Sequence, residues 1–346
     1  MTTQESARRE RMAALLAREI DPASAERAWG LIERAQRIVA LAHEKPDPDA
    51  LGSALGLAWA LRPLGKQVVV ACADPVPANY TFLPGREMVV TELPDEAFDL
   101  VIALDAGELP RYGALYTRHQ AFFDSATLFN MDHHVTSAGI GACAIIDVAS
   151  AATAELLTLF LLNRGVAIGQ EAAICLLAGI ITDTRAFEFD ATTDRTLLAG
   201  AYLVASGAKP EDIIKPMYRL KPLAKERLWG RALQSLGSAV DGRIVWATIR
   251  QSDLAAVDAT PDMDDGLPSF LMDTEGVALA AIFREAPDGA TRVSLRSAAP
   301  YDAAAICAQF GGGGHIRASG CTLRMDIDEA QRVFVLALEL ALREQG

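Results

Sequence analysis

Five short stretches of this chain are apolar almost throughout, and they constrain its fold more than any other feature. They read RIVALA, KQVVVACA, FDLVIALDA, TLFNMDH and ACAIIDV. A strand with one wet face alternates apolar and polar residues, because successive side chains point to opposite faces. Runs without that alternation need cover on both faces. Helical stretches separate most of them, among them ALGSALGLAWALRPL and ATAELLTLFLLNRG. Strands alternating with helices predict an α/β domain, with a mostly parallel sheet flanked by helices.

The pattern changes from about Gly237. GRIVWATI, VALAAIFREA and TRVSLRSA read as strands, and PDGA between the last two fits a hairpin turn. A helix through YDAAAICAQF, a glycine cluster, a strand at CTLRMDI and a closing helix complete the chain. The expected organisation is a helical lead-in over 1–35 and a first α/β domain over 36–206. A helical linker over 207–236 follows, then a smaller α/β domain with a mixed sheet over 237–346. The catalytic cleft is expected between the two domains. The lead-in is expected to start its second helix at Asp21-Pro22, with Asp21 as N-cap.

Composition narrows the function classes. With 346 residues there is room for two domains. No run of about 18 uncharged apolar residues occurs, so no membrane span is expected. The start MTTQESARRERM is not followed by the apolar segment of a secretory leader. Cys72, Cys143, Cys175, Cys307 and Cys321 stand singly among apolar or small residues, which predicts buried reduced thiols and a cytoplasmic location. A formal net charge of -13 disfavours a broad basic groove for long nucleic acid. A short anionic substrate remains compatible with it, given metals and a few arginines to focus positive potential.

Four segments place metal-binding side chains just after apolar runs, where open α/β sheets bind their ligands. The first is HEKPDPD, with His43, Asp47 and Asp49 on a turn stiffened by Pro46 and Pro48. Asp105 ends LVIAL. Asp132-His133-His134 follows TLFNM, and Asp183 lies in Thr182-Asp183-Thr184 after the helix or strand AICLLAGII. Taken singly, Asp105 or Asp183 reads equally well as a turn or helix-cap residue. Together they form a set of mixed imidazole and carboxylate donors, the set a dinuclear divalent centre needs. Of the five histidines, His43, His133 and His134 belong to it. His119, in TRHQAFF, has no neighbouring ligand and reads as a surface or packing residue.

The last histidine, His315, follows Gly311 to Gly314. Glycines such as Gly313 and Gly314 let the backbone approach an anion and turn N–H groups toward it. The spacing fits neither a dinucleotide fingerprint nor a P-loop. Arg296-Ser297 ends the strand just upstream, and an arginine fork matches two phosphate oxygens. These residues predict a substrate-phosphate site.

In combination, HEKPDPDALGS, LDAG, DHH, TDT, SLRS and GGGGHIRASG resemble the DHH phosphoesterases with their DHHA1 domain, from about residue 36 to 343. Within that family the chain is most similar to the compact bifunctional oligoribonucleases, or nanoRNases, that also hydrolyse 3′-phosphoadenosine 5′-phosphate (pAp). The resemblance implies two divalent ions, generally manganese. It implies that His43 and Asp47 hold one ion, that Asp49, His133 and Asp183 hold the other, and that Asp105 bridges them. His134 would face the scissile phosphate, and Arg296 and His315 would grip the substrate. The implied partners are short RNA oligonucleotides and nucleotide bisphosphates, with no long nucleic acid and no membrane. A homodimer is compatible with it. Arg185 departs from the family pattern, which usually has glycine after TDT. A large cation there bears on substrate contact or on the loop. Alternatives within the family are a cyclic- or linear-dinucleotide phosphodiesterase and a RecJ-like single-strand exonuclease. A pyrophosphatase should lack GGGGH. A non-catalytic nucleotide-binding module should lack a metal ligand.

Overall fold

The largely apolar runs of the first half become the strands of one sheet, the central ones buried on both faces. In the computed structural model, which describes residues 3–345, they are β1 (Arg37–Leu41), β2 (Gln67–Ala71), β4 (Leu100–Leu104), β5 (Leu128–Asp132) and β6 (Cys143–Ile146). A two-residue strand β3 (Val89–Val90) was not legible. All pair in parallel in the order β3-β2-β1-β4-β5-β6. Alternate residues part to opposite faces. Ile38 and Ala40 join one apolar cluster, with Leu100, Ile102 and Leu104. Val39 and Leu41 join another, with Val101, Ala103, Tyr112 and Phe123. Burying each large aliphatic side chain contributes roughly 1.5–3 kcal/mol, and the buried Asn130 of β5 is accommodated by donating to the Ala103 and Ala106 carbonyls, both at 3.0 Å.

Helices Pro48–Leu61, Thr153–Asn163 and Gln170–Asp183 cover the first face. The run AICLLAGII is thus helical. Helices Pro48–Leu61 and Gln170–Asp183 approach closely because glycines line the contact. A Cβ on Gly52 would strike the Cys175 carbonyl, and one on Gly179 would strike the Asp49 carboxylate. Leading helices Thr3–Leu16 and Pro22–Arg34 bury Met12, Leu16, Ala28 and Ile32 in the same core. Asp21 caps the second of these, accepting from Ser24 N at 2.8 Å.

The sheet order reverses beside β1, whose neighbours are β2 and β4. Chain connections leave on opposite faces there and open a crevice beyond the strands' carboxyl ends.

The chain divides into two units, Met1–Leu220 and Lys221–Gly346. Helix Pro210–Ile214 and the π-turn Lys215–Arg219 fall in the first, and helix Leu223–Gln234 falls in the second. Leu228, Trp229 and Ala232 of that last helix are core residues of the second unit.

The second unit contains β7 (Gly237–Ala239), β8 (Ile244–Ile249), β9 (Leu279–Glu285), β10 (Thr291–Ser297), β11 (Gly313–His315) and β12 (Ala318–Leu323). Their order is β11-β12-β10-β9-β8-β7. Only β8 and β9 run parallel, so the sheet is mixed. Leu279, Ala281 and Phe283 pack on one face, with Phe334. Ala280 and Ile282 pack on the other, with Trp229. Within the glycine cluster, Gly313–His315 forms an edge strand against β12. The cysteines are unpaired, and all but the half-buried Cys143 are buried. Among the described residues no helix is long and apolar enough to cross a membrane.

Candidate metal centre

His43 leaves β1 and is buried. Its Nδ1 lies 2.7 Å from the Glu44 carbonyl, which can only accept, so the proton is on Nδ1. The Nε2 lone pair then faces Asp47 Oδ2 at 3.6 Å and Asp105 Oδ2 at 3.5 Å. Asp47 caps helix Pro48–Leu61, its Oδ1 accepting from Asp49 N at 3.0 Å and Ala50 N at 2.9 Å. Pro48 at the first helical position has no N–H to satisfy. Cap and proline thereby leave Asp47 Oδ2 for the site.

Asp49, the second residue of that helix, is fully buried. Its carboxylate accepts Thr153 N at 2.7 Å and Ala154 N at 2.9 Å. Those N–H groups open helix Thr153–Asn163, whose positive end suits a carboxylate. Asp105 sits at the tip of β4 with φ 60, a left-handed conformation that aspartate tolerates better than most residues. Only 2% of it is exposed. Thr153 Oγ1 donates to its Oδ1 at 2.9 Å. Oδ1 also lies 3.6 Å from His133 Nε2, while Oδ2 faces His43.

His133 repeats the His43 arrangement. Its Nδ1 donates to the Ser150 carbonyl at 3.1 Å. Its Nε2 is buried and finds no hydrogen-bond partner among the described residues. Three carboxylates surround it: Asp183 at 3.2 Å, Asp105 at 3.6 Å and Asp49 at 3.9 Å. Asp183 ends helix Gln170–Asp183, where a carboxylate meets the negative end of the helix dipole. Local helix energetics do not favour it there, and a nearby cation would.

The sequence pointed to the DHH aspartate without giving it a role. Asp132 is fully buried and turns toward His134. Its Oδ1 accepts His133 N at 2.8 Å and His134 Nδ1 at 2.7 Å. The His134 ring is half-exposed, with Nε2 unclaimed by that bond.

Charge in the cluster is out of balance. Burial and then the Asp105, Asp183 and Asp47 carboxylates hold Asp49 well above the usual carboxylate range. Burial likewise raises Asp183, with His133 partly opposing. Burial opposes a charged ring at His43, but Asp105 and then Asp47 outweigh it and push its pKa up to about 10. At His133 burial is outweighed by Asp183 and then Asp105, giving about 9. The hydrogen bond that His134 donates to Asp132 leads the upward shift at His134.

These residues fit divalent cations. His43, Asp47 and Asp105 offer ligand atoms within 4.8 Å of one another, and so do Asp49, His133 and Asp183. An orphaned imidazole nitrogen among carboxylates needs a cation or a proton. Imidazole–carboxylate donor sets suit first-row divalent metals, and both rings are anchored through Nδ1 on backbone carbonyls, as metal-binding histidines usually are.

The remaining candidates lie elsewhere. Arg185 follows Asp183 with φ 48, and Ala186 and Phe187 follow at 59 and 71. Three left-handed residues in succession cost roughly 1–2 kcal/mol each, which explains why glycine suits the first of them. Arg185 Nε pairs with Glu188 at 3.3 Å. In the second unit, Arg296 of β10 and His315 of β11 are both in register with Ala318 of β12. Residues opposite one another in a sheet share a face, so a cation and an imidazole flank one small residue. Gly313 and Gly314 precede His315 on the same edge strand, with Gly314 at φ 148. The Ser297 hydroxyl is engaged internally, 2.9 Å from both the Tyr301 and Ile316 carbonyls. It braces the chain next to His315.

Thr153 and Ala154 escaped the sequence reading. The small polar stretch ASAATAE before an apolar helix was the available signal, since such stretches open helices.

Comparison with known proteins agrees with this geometry. The family model described as DHH family, N-terminal domain, matches residues 37–180, and the DHHA1 domain model matches residues 249–341. The chain is 33% identical over 310 residues to the bifunctional oligoribonuclease and PAP phosphatase NrnA of Thermus thermophilus, covering 88% of this chain and 90% of that protein. It is 25% identical over 329 residues to the cyclic-di-AMP phosphodiesterase PdeA of Listeria monocytogenes, covering 89% of this chain but 48% of that protein. The crystal structure of an exopolyphosphatase-related protein from Bacteroides fragilis superposes with a TM-score of 0.80 at 25% identity, covering 93% of this chain and 97% of that one.

Proposed function

This chain belongs to the DHH family of phosphoesterases, with the associated DHHA1 domain, and from that premise we propose that it hydrolyses short RNA to mononucleotides and pAp to AMP and phosphate. The broader activity is that of a metal-dependent phosphoesterase acting on small nucleotides. The observation that carries the chemistry is the buried His133 Nε2, which faces three carboxylates and has no hydrogen-bond partner among the described residues. The substrate choice is supported by extent. The chain spans 90% of the Thermus thermophilus oligoribonuclease and PAP phosphatase, against 48% of the cyclic-di-AMP phosphodiesterase.

In this reading His43 and Asp47 would hold one cation, and Asp49, His133 and Asp183 would hold the second. Asp105, whose two oxygens face the two imidazoles, would serve both. Manganese is the expected metal. When bound, such a pair activates a water and neutralises charge on the phosphoryl group. His134 carries a proton at Nε2, favoured by Asp132 behind its Nδ1, and presents it to the phosphate. In the second unit, Arg296 and His315 are the proposed substrate-phosphate contacts, with Gly313 and Gly314 offering backbone N–H groups. Ser297 braces them, and Arg185 contributes charge beside Asp183.

A substrate panel with added Mn²⁺ tests this: pAp, RNA of two to five nucleotides, a 24-mer, cyclic dinucleotides and pyrophosphate. Short RNA and pAp should turn over much faster per molecule than the rest. Equal rates on the 24-mer would move the chain toward a single-strand exonuclease, and preference for cyclic dinucleotides would move it toward that branch.

A further inference from the structure

We propose that Arg195 is a positioning residue for the metal centre, acting on His133 through the loop 147–151. The inference rests on reading the cluster as a metal site, although Arg195 touches none of the proposed ligands.

Arg195 is the second residue of helix Asp194–Ala205, and its side chain is 15% exposed. Its Nε donates to Glu155 Oε1 at 2.7 Å. Its Nη2 donates to Asp147 Oδ2 and to Ser150 Oγ, both at 2.9 Å. Glu155 is fully buried. The other Glu155 oxygen accepts Ala151 N at 3.0 Å and Thr196 Oγ1 at 2.9 Å. Asp147 in turn accepts Ala149 N at 3.0 Å and Ser150 Oγ at 2.9 Å. One guanidinium therefore ties together both ends of a five-residue loop and the first turn of the helix after it.

That loop carries the Ser150 carbonyl, which accepts from His133 Nδ1 and leaves Nε2 as the nitrogen open to a cation or a proton. It then runs into the Thr153 and Ala154 N–H groups that hold Asp49. Outer partners of this kind orient a ligand ring and set its tautomer. A buried ion pair alone says little, since apolar replacements are often neutral for stability. What marks this one is its destination. Its acidic partners and the serine are the groups that pin the loop behind His133. A lysine would keep the charge but could not reach partners through separate Nε and Nη2 donors.

The test uses the full chain. Mn²⁺ binding is measured by titration calorimetry for wild type, Arg195→Lys, Asp147→Asn, His133→Ala and the Arg195→Lys/His133→Ala double variant. Thermal midpoints are taken in chelator, and KM and kcat with pAp. Arg195→Lys should weaken Mn²⁺ binding about 10- to 100-fold, the range seen for outer-shell partners of metal ligands. It should leave the metal-free midpoint within a few degrees and KM nearly unchanged. In the His133→Ala background the same change should add little. Asp147→Asn should weaken Mn²⁺ binding in the same direction, and it decides the matter if Arg195→Lys does not fold. Mn²⁺ affinity within twofold of wild type, or fully multiplicative losses in the double variant, would overturn the inference and leave the metal centre standing. A wild-type chain that takes up no Mn²⁺ would remove both.

Discussion

Thr153 Oγ1 donates to Asp105 Oδ1 at 2.9 Å, joining the first turn of one helix to the tip of a strand 48 residues earlier in the chain. The same residue's N–H holds Asp49, so one threonine orients two carboxylates of the cluster. Thr153→Val keeps the shape and the N–H but removes the hydroxyl. A hydrogen bond to a charged acceptor is worth about 1.5–3 kcal/mol, so kcat/KM on pAp should fall about 10- to 150-fold. Thr153→Ser should recover most of it. Equal losses in both variants would show that packing, not the hydroxyl, matters.

Asp105→Asn replaces the carboxylate facing both imidazoles with a neutral amide. Turnover should drop at least about 100-fold, the scale of losing one electrostatic contact to the reacting group. The fold should persist, because Asp105 ends a strand and is not part of an apolar face. Rate and metal content per chain check this together. Near-normal turnover with two ions bound would remove Asp105 from the bridging role.

Arg296→Ala should leave Mn²⁺ content unchanged, since Arg296 is not a proposed ligand. It should cost about 2–4 kcal/mol in kcat/KM on pAp, or 30- to 1000-fold. Arg296→Lys should recover only part, for want of a fork. A minimal chromogenic phosphodiester, with no second phosphate to hold, should suffer less. Equal slowing of both substrates would count against a nucleotide grip.

Arg185→Gly relieves a left-handed residue at φ 48, worth roughly 1 kcal/mol. The thermal midpoint should hold or rise by a few degrees, even with the Glu188 pair lost. KM for substrates with two phosphates should increase. An unchanged KM across the panel would leave Arg185 a loop residue only.

The metal-free protein should lose stability as pH rises. His43 and His133 have pKa values pushed up to about 10 and about 9, against an ordinary value near 6.5 in the unfolded chain. The folded state binds these protons more tightly. Their contribution is full below about pH 6.5 and is lost as pH climbs through 9 to 10. Asp47, Asp49, Asp105 and Asp183 face these rings, and the raised Asp49 works in the same direction. In chelator the thermal midpoint should fall from pH 7 to 9.5. Mn²⁺ displaces those protons, so its stabilising effect should grow over the same window. A flat midpoint in chelator would mean the rings are not held protonated.

Sequence alone was enough to find the main strands of the first sheet and to name the candidate donors. Strands buried on both faces must be apolar at successive positions, so β1, β4 and β5 announce themselves in RIVALA, LVIAL and TLFNM. Asp105, His133 and His134 then stand out because polar groups follow those runs directly. The tertiary structure decided how these groups are held. Asp49 finds its N–H partners 104 and 105 residues away, and His133 takes its tautomer from a carbonyl 17 residues on. Such contacts depend on which helix end the fold brings up to which strand tip, and no local period in the chain encodes that. Ser297 is the same lesson in reverse. In sequence it stands beside Arg296 as a candidate for substrate, yet strand alternation turns it inward to the Tyr301 and Ile316 carbonyls, because neighbours on a strand face opposite ways.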